Sequence, residues 1–323
     1  MTVPADDAFS TRLTDRLERI EERLGQLAGA QTPFVTEAAN HIIDAGGKRF
    51  RPMLVAVAAE FGDRVDEEAL VKAACVVELT HVASLYHDDV MDEADLRRGA
   101  ASANARFGNT VAILVGDYLF ARASSTVATL GTDYVALQAD TFARLVQGQI
   151  AETQGPGDAD PLEGYTQVLA DKTGSLIATS AVFGGMVAGA PAEVLEALRA
   201  FGEEVGLVFQ LSDDIIDIAS DETGKTPGTD LREGVPTLPT LMLRASDAPE
   251  DRELVALIDG DLSSDEALEE VLQKLRAHPV LGRARAEVRR RADLARGHLA
   301  PLPEGPAKDA LLKVCDDLVN RDV

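Results

Sequence analysis

The chain has 323 residues, and its 46% hydrophobic and 27% charged content is typical of a protein that folds around a sizeable core. Its 31 basic and 55 acidic residues give a formal charge of −24, which argues against binding to nucleic acid or anionic lipid. Two cysteines cannot support a disulfide scaffold. The N-terminus does not resemble an export signal, and no uncharged apolar run approaches the roughly 18 residues of a membrane span. These features predict a cytoplasmic protein without a transmembrane segment.

Helical patterns cover most of the chain. Within residues 1–30, leucine and isoleucine recur at spacings of three and four, which predicts an amphipathic helix that packs on the body of the protein or on a partner subunit. Residues 64–98 contain neither glycine nor proline and are apolar on most sides, which indicates one long buried helix. Further helices are predicted within 110–150, 162–190, 192–220, 236–246 and 264–299. Since period-two alternation is nearly absent, the sequence predicts an all-α protein with a single domain over residues 1–323.

Two similar acidic motifs lie near the ends of predicted apolar helices. DDVMD begins at Asp88 and DDIID begins 125 residues later at Asp213, and Glu78 and Glu203 repeat the same offset. The first and fifth positions of each motif lie one helical turn apart on one face. Such carboxylates repel one another at a helix end where the dipole also disfavours anions, whereas a hard divalent cation such as Mg²⁺ binds them readily. A solvated acidic surface is the alternative for either motif alone, and the repetition favours a metal site.

Basic residues cluster at two places in a chain that has few of them. GGKRFRP places Lys48, Arg49 and Arg51 between flexible glycines and a proline that starts a helix. Arg97 and Arg98 follow the first acidic motif. Each cluster alone is typical of a solvated surface. Next to metal-binding carboxylates, however, basic side chains predict a site for a diphosphate and its metal ions.

Three motifs in this order resemble those of the trans-isoprenyl diphosphate synthases, also called polyprenyl synthetases: GGKRFRP, HDDVMDEADLRRG and FQLSDDIIDIASDETGK. The resemblance extends from about residue 34 to residue 240, and the remaining C-terminal part matches only as generic helices. It implies an all-α, isoprenoid-synthase-type helical bundle around a central cavity, usually in a homodimer. It also implies a Mg²⁺-dependent prenyltransferase that condenses isopentenyl diphosphate with an allylic prenyl diphosphate, head to tail.

The resemblance also implies roles for individual positions of this chain. Contacts to isopentenyl diphosphate are implied for Lys48, Arg51, His81 and Arg98. Contacts to the allylic substrate or to a diphosphate are implied for Arg97, Lys172, Thr173, Gln210 and Lys225. Two or three Mg²⁺ ions would be held by the two acidic motifs, Asp88, Asp89, Asp92, Asp213, Asp214 and Asp217. Asp89 completes the first motif, more often as a residue behind the ligands. Catalytic roles are implied for Asp88, Asp92, Lys172 and Asp213.

One position departs from the family pattern. The family commonly has REGK where this chain has REGV, so Val235 stands where a lysine contacts the allylic diphosphate. Lys225 is then the remaining lysine for that contact. The other motifs are complete, so prenyl transfer remains the expected activity.

Small residues below the first acidic motif bear on product length. Ser84 and Ala83 are four and five positions before the motif, about 5.4 Å deeper along the helix, and Thr80 lies a further turn down. A bulky side chain there would stop the growing tail early, so we predict a product longer than C20, in the C30–C45 class. A facing helix can instead supply the floor, for example at Leu119 or Phe120, and small residues can also simply permit close helix packing. A geranylgeranyl or farnesyl diphosphate synthase is the alternative within the family.

Two other functions compete with this one. His87 and Asp88 form the doublet of a metal-dependent phosphohydrolase, with His41 as a candidate further ligand, but the remaining histidines lie far along the chain. A non-catalytic subunit of a heteromeric synthase typically lacks one acidic motif, and this chain keeps both. The expected partners are therefore isopentenyl and allylic diphosphates and a second copy of the chain, and a transient membrane contact can serve product release.

Overall fold

Helices connected by short turns form nearly all of the chain in the computed structural model, which describes residues 7–155, 160–219 and 227–322. The N-terminal part contains α1 (Asp7–Ala28), α2 (Pro33–Asp44), α3 (Phe50–Ala58), α4 (Glu67–Met91), α5 (Ala103–Phe107) and α6 (Asn109–Val127). The middle part contains α7 (Thr132–Gln154), α8 (Pro161–Leu169), α9 (Ser175–Val187) and α10 (Ala192–Ala219). The C-terminal part contains α11 (Thr229–Glu233), α12 (Leu238–Arg244), α13 (Pro249–Ile258), α14 (Asp265–Ala277), α15 (Pro279–His298) and α16 (Pro306–Val319).

Shorter elements connect some of these helices. A π-helical turn, Ala170–Gly174, joins α8 to α9, and 3₁₀ turns follow α3 and α16 at Ala59–Phe61 and Asn320–Asp322. Two antiparallel strands of two residues each, β1 (Leu96–Arg97) and β2 (Ala100–Ala101), form a small hairpin after α4. The all-α prediction is confirmed.

Helix α4 lies at the centre of the bundle. It begins after the capping residue Asp66, whose side chain accepts hydrogen bonds of 3.0 Å from the backbone N–H groups of Glu68 and Ala69. Buried residues occur on all its sides, because it packs against α1, α3, α6 and α9. Its length and hydropathy would suffice to cross a membrane, but 72% of its apolar stretch is buried inside the protein. An apolar composition together with burial on all sides is typical of a core helix.

Helix α1 packs on the body of the same chain. Its apolar stripe, which includes Leu13 and Ile20, is buried where α1 contacts α3 and α4. Arg16 is also buried and forms ion pairs of 2.6 Å with Glu60 and 2.7 Å with Glu67. A buried guanidinium is tolerated only when its donors are well paired, so these contacts fix the position of α1.

Three of the predicted helical stretches are interrupted in the structure. Residues 110–150 are divided between α6 and α7 near Gly131, whose φ of 124° suits glycine. Residues 264–299 are divided at Pro279, which starts α15. Residues 162–190 contain the π-helical turn. Helical periodicity continues on both sides of each interruption, so a pattern of apolar residues alone does not reveal it.

Candidate active site

A cavity of about 820 Å³ lies where the C-terminal parts of α4 and α10 meet the start of α3 and the π-helical turn. It brings together ten of the residues that the motifs predict: Lys48, Arg51, His81, Ser84, Asp88, Arg97, Arg98, Lys172, Thr173 and Gln210. Apolar side chains complete its wall, among them Phe50, Leu85, Leu145, Leu176 and Ile177. Charged groups and an apolar surface are therefore combined in one space. Lys225 lies outside the described residues.

The basic wall is formed by two loops that pack on each other. Gly47 and Arg49 have positive φ angles of 150° and 47°, and the resulting turn presents Lys48 and Arg51 to the cavity. The guanidinium of Arg98 lies against Gly47, where an added Cβ atom would come within 2.9 Å of the Arg98 Cζ. The positive φ favours glycine at position 47, and the absence of a side chain there lets the Arg98 guanidinium lie close to the backbone.

Arg51 and His81 form the part of the wall most suited to an anion. The Nε of Arg51 is buried and has no hydrogen-bond partner among the described residues. Burial and the neighbouring Arg98 lower the pKa of Arg51 to about 10, with Glu78 acting in the opposite direction. Burial, followed by the charges of Arg51 and Arg98, holds the pKa of His81 well below its usual range, so His81 is neutral at pH 7. A bound anion would supply the missing acceptor for these donors.

Two aspartates of the first acidic motif are accessible, and one of them lines the cavity. Asp88 lines the cavity, and Asp92 is exposed one turn further along α4. Burial raises the pKa of Asp88 to about 6, while the Lys172 ammonium lowers it and the Asp92 carboxylate raises it. Burial also raises the pKa of Asp92. The pair therefore carries negative charge that the protein neutralises only in part.

Asp89 has a different position from its neighbour. It is fully buried, and its two carboxylate oxygens accept hydrogen bonds from Arg97 Nε at 2.6 Å and from the Ala103 N–H at 2.9 Å. Because both oxygens have protein donors and the side chain is fully buried, the structure favours a supporting role for Asp89 over direct metal binding. Asp89 positions Arg97 and holds the first residue of α5.

Asp214 has the corresponding position in the second acidic motif. Its Oδ2 accepts hydrogen bonds from the Tyr165 hydroxyl at 2.6 Å and from the Leu238 N–H at 2.8 Å. Burial raises the pKa of Asp214 to about 7, and both hydrogen bonds oppose that rise. Its burial and these two contacts favour a structural role for Asp214 over direct metal binding. Asp214 holds the start of α12.

The other two aspartates of the second motif are more accessible but have protein partners. Asp213 forms an ion pair of 2.9 Å with Arg321, and the Asp217 carboxylate accepts the Asp230 N–H at 3.3 Å. Val235, the departure from the family pattern, is 40% exposed.

The carboxylates fit a hard divalent cation. No group of three acidic, histidine or cysteine side chains is preassembled for a metal ion within residues 7–155, 160–219 and 227–322. Mg²⁺, however, commonly uses only one or two carboxylates and completes its octahedron with water and phosphate oxygens. Asp88 and Asp92, one turn apart and only partly neutralised, are such donors. Asp213 and Asp217 repeat the spacing on α10.

The π-helical turn Ala170–Gly174 presents Lys172 and Thr173 to the cavity. The Lys172 ammonium lies 2.6 Å from a carboxylate oxygen of Glu152 on α7, and its charge lowers the pKa of Asp88. Turns of this kind are rare and occur often at functional sites. The sequence motif identifies the lysine and threonine but contains no signal for the π geometry.

The three residues predicted to control product length do not share one environment. Ser84 lines both the cavity and a neighbouring apolar groove of about 360 Å³. Ala83 is fully buried in the core and lines neither space, because adjacent helical positions point about 100° apart. Thr80 is also buried, and its hydroxyl donates to the Val76 carbonyl at 2.8 Å. Of the three residues, Ser84 alone faces open space in the described part of the chain.

The facing helix α6 contributes to the groove and not to the cavity. Phe120 lines the groove, together with Phe142, Val146 and Ile150 of α7 and other apolar residues. Leu119 is fully buried in the core. Of the two residues on α6 that could limit the length of the growing tail, Phe120 therefore remains the candidate.

The histidines of the alternative phosphohydrolase site have other neighbours. His87 Nε2 lies 3.1 Å from the Ile113 carbonyl and 3.4 Å from Asp117. His41 Nε2 lies 2.7 Å from the Ala101 carbonyl. Neither ring belongs to a three-ligand metal group in the described ranges, so the geometry does not favour a histidine-based metal hydrolase.

Arg321 is a site residue that the sequence analysis misses. It lies in the 3₁₀ turn after α16, pairs with Asp213, and places its guanidinium 4.8 Å from the centre of the Phe209 ring. Together with Lys48 it lines a further cavity of about 430 Å³. The contact between Arg321 and Asp213 joins residues that are far apart in the chain. In the sequence, Arg321 is only a basic residue near the C-terminus and belongs to no motif.

Comparison with known proteins agrees with this geometry. The sequence profile of the polyprenyl synthetase family matches residues 32–275. Nonaprenyl diphosphate synthase of Mycobacterium tuberculosis is 45% identical over 319 residues, which cover 98% of this chain and 95% of that protein. Octaprenyl diphosphate synthase of Escherichia coli is 33% identical, over 95% of this chain and 99% of that protein. The crystal structure of geranylgeranyl pyrophosphate synthase from Corynebacterium glutamicum, complexed with calcium and isoprenyl diphosphate, matches with a TM-score of 0.90 and 45% identity over 99% of both chains.

Proposed function

The chain belongs to the polyprenyl synthetase family of prenyltransferases, and we propose that it condenses isopentenyl diphosphate with an allylic prenyl diphosphate, head to tail, in the presence of Mg²⁺. The observation that carries this proposal is one cavity lined by Lys48, Arg51 and Arg98, by Asp88 and by apolar side chains. Such a cavity offers separate positions for two diphosphates and an apolar surface for two hydrocarbon chains.

The two diphosphates have different sets of partners. Lys48, Arg51 and Arg98 lie together on the basic wall, where the unpaired Arg51 Nε and the neutral His81 favour the diphosphate of the isopentenyl substrate. Arg97 and Lys172 lie next to the first acidic motif, where the allylic diphosphate would be bound together with its metal ions. Separate binding keeps the two substrates in a fixed mutual orientation.

Residues that line the cavity, together with the aspartates that follow on α4 and α10, would serve the steps of the reaction. The proposed ligands of two or three Mg²⁺ ions are Asp88, Asp92, Asp213 and Asp217. The chemistry that bound Mg²⁺ supplies is neutralisation of the allylic diphosphate, which makes it a better leaving group. Arg97 and Lys172 hold the departing diphosphate, and the isopentenyl double bond attacks the allylic cation. The isopentenyl unit then loses a proton to the departing diphosphate, while Leu85, Leu145 and Leu176 exclude water.

Incubation of the purified protein with Mg²⁺, isopentenyl diphosphate and farnesyl diphosphate tests this function. We expect chain-extended prenyl diphosphates, and we expect Asp88→Asn to abolish them while the exposed Asp309→Asn control retains them. Release of phosphate without chain extension would instead indicate the hydrolase. Activity that appears only with a second subunit would indicate a component of a heteromeric synthase.

We infer that the product is longer than C20. Ser84 is small and lies between the cavity and the apolar groove, so the tail has a route out of the cavity. The names of the nonaprenyl and octaprenyl synthases among the relatives support the same inference. Ser84→Phe should shorten the product by several isoprene units without blocking the first condensation, as chromatography of the dephosphorylated alcohols would show. Unchanged product length would exclude this route, and a C20 product of the wild type would favour the geranylgeranyl alternative.

Ala83→Phe serves as the matched comparison. Ala83 is fully buried, so a phenylalanine there overpacks the core and should lower the free energy of unfolding by about 1–3 kcal/mol. The effect of Ala83→Phe is therefore expected in thermal unfolding more than in product length. Shortening by Ala83→Phe alone would show that the tail follows the other face of α4.

We infer a homodimer that forms through the outer faces of α6 and α7. Apolar side chains are exposed there, with Ile113 at 43%, Leu114 at 60% and Ile150 at 51%, and exposed apolar patches commonly mark protein interfaces. Leu114→Glu should give a monomer in light scattering, whereas Leu294→Glu, at another exposed apolar position on α15, should not. A wild-type monomer would refute the inference.

We infer that residues 1–323 fold as a single domain. Leu17 packs against two of the hydrophobic core clusters, and Met242 packs against the third as well as the first. Apolar contacts are therefore continuous between the N-terminal and C-terminal helices. One calorimetric transition is expected, and two separate transitions would contradict a single domain.

We infer a cytoplasmic location. Cys75 and Cys315 are both buried free thiols, as is usual in a reducing compartment. Cell fractionation should recover the protein with the cytosol. A transient membrane contact during product release stays a prediction, which co-sedimentation with phospholipid vesicles tests.

A further inference from the structure

The π-helical turn Ala170–Gly174 is held by an arginine that does not line the substrate cavity. Arg144 of α7 donates from Nε to Asp171 at 2.9 Å, and from Nη1 and Nη2 to the two oxygens of Glu203 at 2.6 and 3.2 Å. Asp171 belongs to the turn and directly precedes Lys172. Arg144 itself lines a separate polar cavity of about 370 Å³. Its guanidinium thus connects α7, the turn and α10 from outside the site.

Two glycines bring the same three segments into backbone contact. An added Cβ atom on Gly148 of α7 would lie 2.7 Å from the Lys172 backbone nitrogen. On Gly206 of α10 it would lie 2.5 Å from the Gly174 Cα. The turn is therefore enclosed between α7 and α10, with no room for a side chain on either side. Since a π-helical turn is less favourable than continuous α-helix, contacts of this kind have to maintain it.

The first half of the molecule has a similar arrangement. Glu78, 125 residues before Glu203, accepts a hydrogen bond of 3.1 Å from Arg49. Arg49 lies in the loop that presents Lys48 to the cavity. In each half, a glutamate ten residues before the acidic motif binds a guanidinium that supports a basic, cavity-lining segment. Glu78 and Glu203, which have the same spacing from the two acidic motifs, therefore also have similar structural roles. Prenyl transfer itself does not require this similarity.

We propose that Arg144 is a positioning residue for the prenyl transfer reaction: by linking Asp171 to Glu203, it fixes the turn that presents the Lys172 ammonium to the cavity that Asp88 also lines, and so orients the allylic diphosphate. This inference rests on the proposed function. Lys172 forms one ion pair within the described residues, with Glu152 at 2.6 Å. Without the contacts of Arg144, the turn can shift and the ammonium loses its fixed position in the cavity.

A double-mutant cycle with Lys172 tests this role. Arg144→Met should lower kcat for elongation about tenfold and leave the KM for isopentenyl diphosphate unchanged. In a Lys172→Met background, Arg144→Met should cause no further loss, because the ammonium that it positions is absent. Arg144→Lys should restore part of kcat. Arg199→Met is the control, since Arg199 lines the same polar cavity but pairs with Glu196.

The possible results separate this inference from the function on which it rests. If the losses from Arg144→Met and Lys172→Met multiply, or if Arg144→Met changes thermal stability without changing kcat, the positioning role is wrong while the function stands. A wild type that elongates nothing would refute the function itself. Asp171→Ala removes the acceptor on the turn side of the same link and replaces Arg144→Met in the cycle if Arg144→Met does not fold.

Discussion

The C-terminal halves of α4 and α10 carry the same pattern of aspartates and use them in the same two ways. The second aspartate of each motif is buried and accepts the first backbone N–H of a later helix, Asp89 at α5 and Asp214 at α12. The first and fifth aspartates of each motif are more accessible. Burial thus separates the aspartates that hold the fold from those that remain for a metal ion.

The two motifs differ in what faces the accessible aspartates. Asp88 lines the cavity, and burial raises its pKa to about 6. Asp213, in contrast, is paired with Arg321, and Asp217 accepts a backbone N–H. The first motif therefore carries partly unneutralised charge, whereas in the second motif Asp213 is paired with a guanidinium, with which a metal ion bound there would compete. Two motifs with the same pattern of aspartates therefore differ in the charged groups that surround their accessible carboxylates.

The largest expected effect is on turnover at the accessible aspartates. Asp88→Asn and Asp213→Asn should each lower kcat about a thousandfold, because each removes a carboxylate from the groups that stabilise the departing diphosphate. Circular dichroism should show unchanged helicity, since neither carboxylate is fully buried. Near wild-type turnover in either variant would remove that motif from the metal site.

The buried aspartates should affect stability instead. Asp89→Asn breaks the ion pair with Arg97 and should lower the free energy of unfolding by about 2 kcal/mol. Asp88→Asn should leave it unchanged or raise it, because a partly buried and poorly neutralised charge is removed. Urea denaturation measures both. Equal losses of unfolding free energy in Asp89→Asn and Asp88→Asn would show that the division into structural and metal-binding aspartates is wrong.

A smaller effect concerns His81 on the basic wall near the first motif. Burial and the charges of Arg51, Arg98, Arg97 and Arg49 lower its pKa, so the folded protein keeps it neutral where the unfolded chain protonates it. Below pH 6.5 this difference should reduce the free energy of unfolding by up to about 1.4 kcal/mol per pH unit. Comparison with His81→Gln between pH 7.5 and 5.5 isolates the contribution, since the arginines stay charged. Identical pH slopes would mean that His81 titrates normally.

The smallest effect concerns the competition between Arg321 and a metal ion for Asp213 of the second motif. An ion pair with partly exposed partners is worth at most about 1 kcal/mol, so Arg321→Met should lower the Mg²⁺ concentration for half-maximal activity by up to about fivefold. Arg321→Lys, which keeps the charge, should change it less. A higher Mg²⁺ requirement in Arg321→Met would show that Arg321 assists metal binding and does not compete with it.

Features of the fold that depend on local sequence could be predicted, and those that depend on distant contacts could not. Helix α4 follows from an uninterrupted apolar segment. The π-helical turn, in contrast, is maintained by Arg144, Gly148 and Gly206, which belong to other helices. The turn itself contains no residue that favours its geometry.

Prediction of the site from the sequence is limited in the same way. Lys48, Arg51 and Asp88 were identified because they belong to short motifs, and they line one cavity. The separation of Asp88 from Asp89 could not be predicted, since both have the same side chain and burial depends on the later segment around Ala103. Arg321 approaches Asp213 only after α16 packs on α10.

Counting bound metal ions tests most directly whether the accessible aspartates, and not the buried ones, are the ligands. Equilibrium dialysis with Mn²⁺ and an unreactive allylic diphosphate analogue gives the number of ions per chain in the wild type and in each variant. We predict fewer bound ions in Asp88→Asn and Asp213→Asn, and the wild-type number in Asp89→Asn and Asp214→Asn. The same number in all five proteins, or a loss confined to the buried positions, would contradict the assignment.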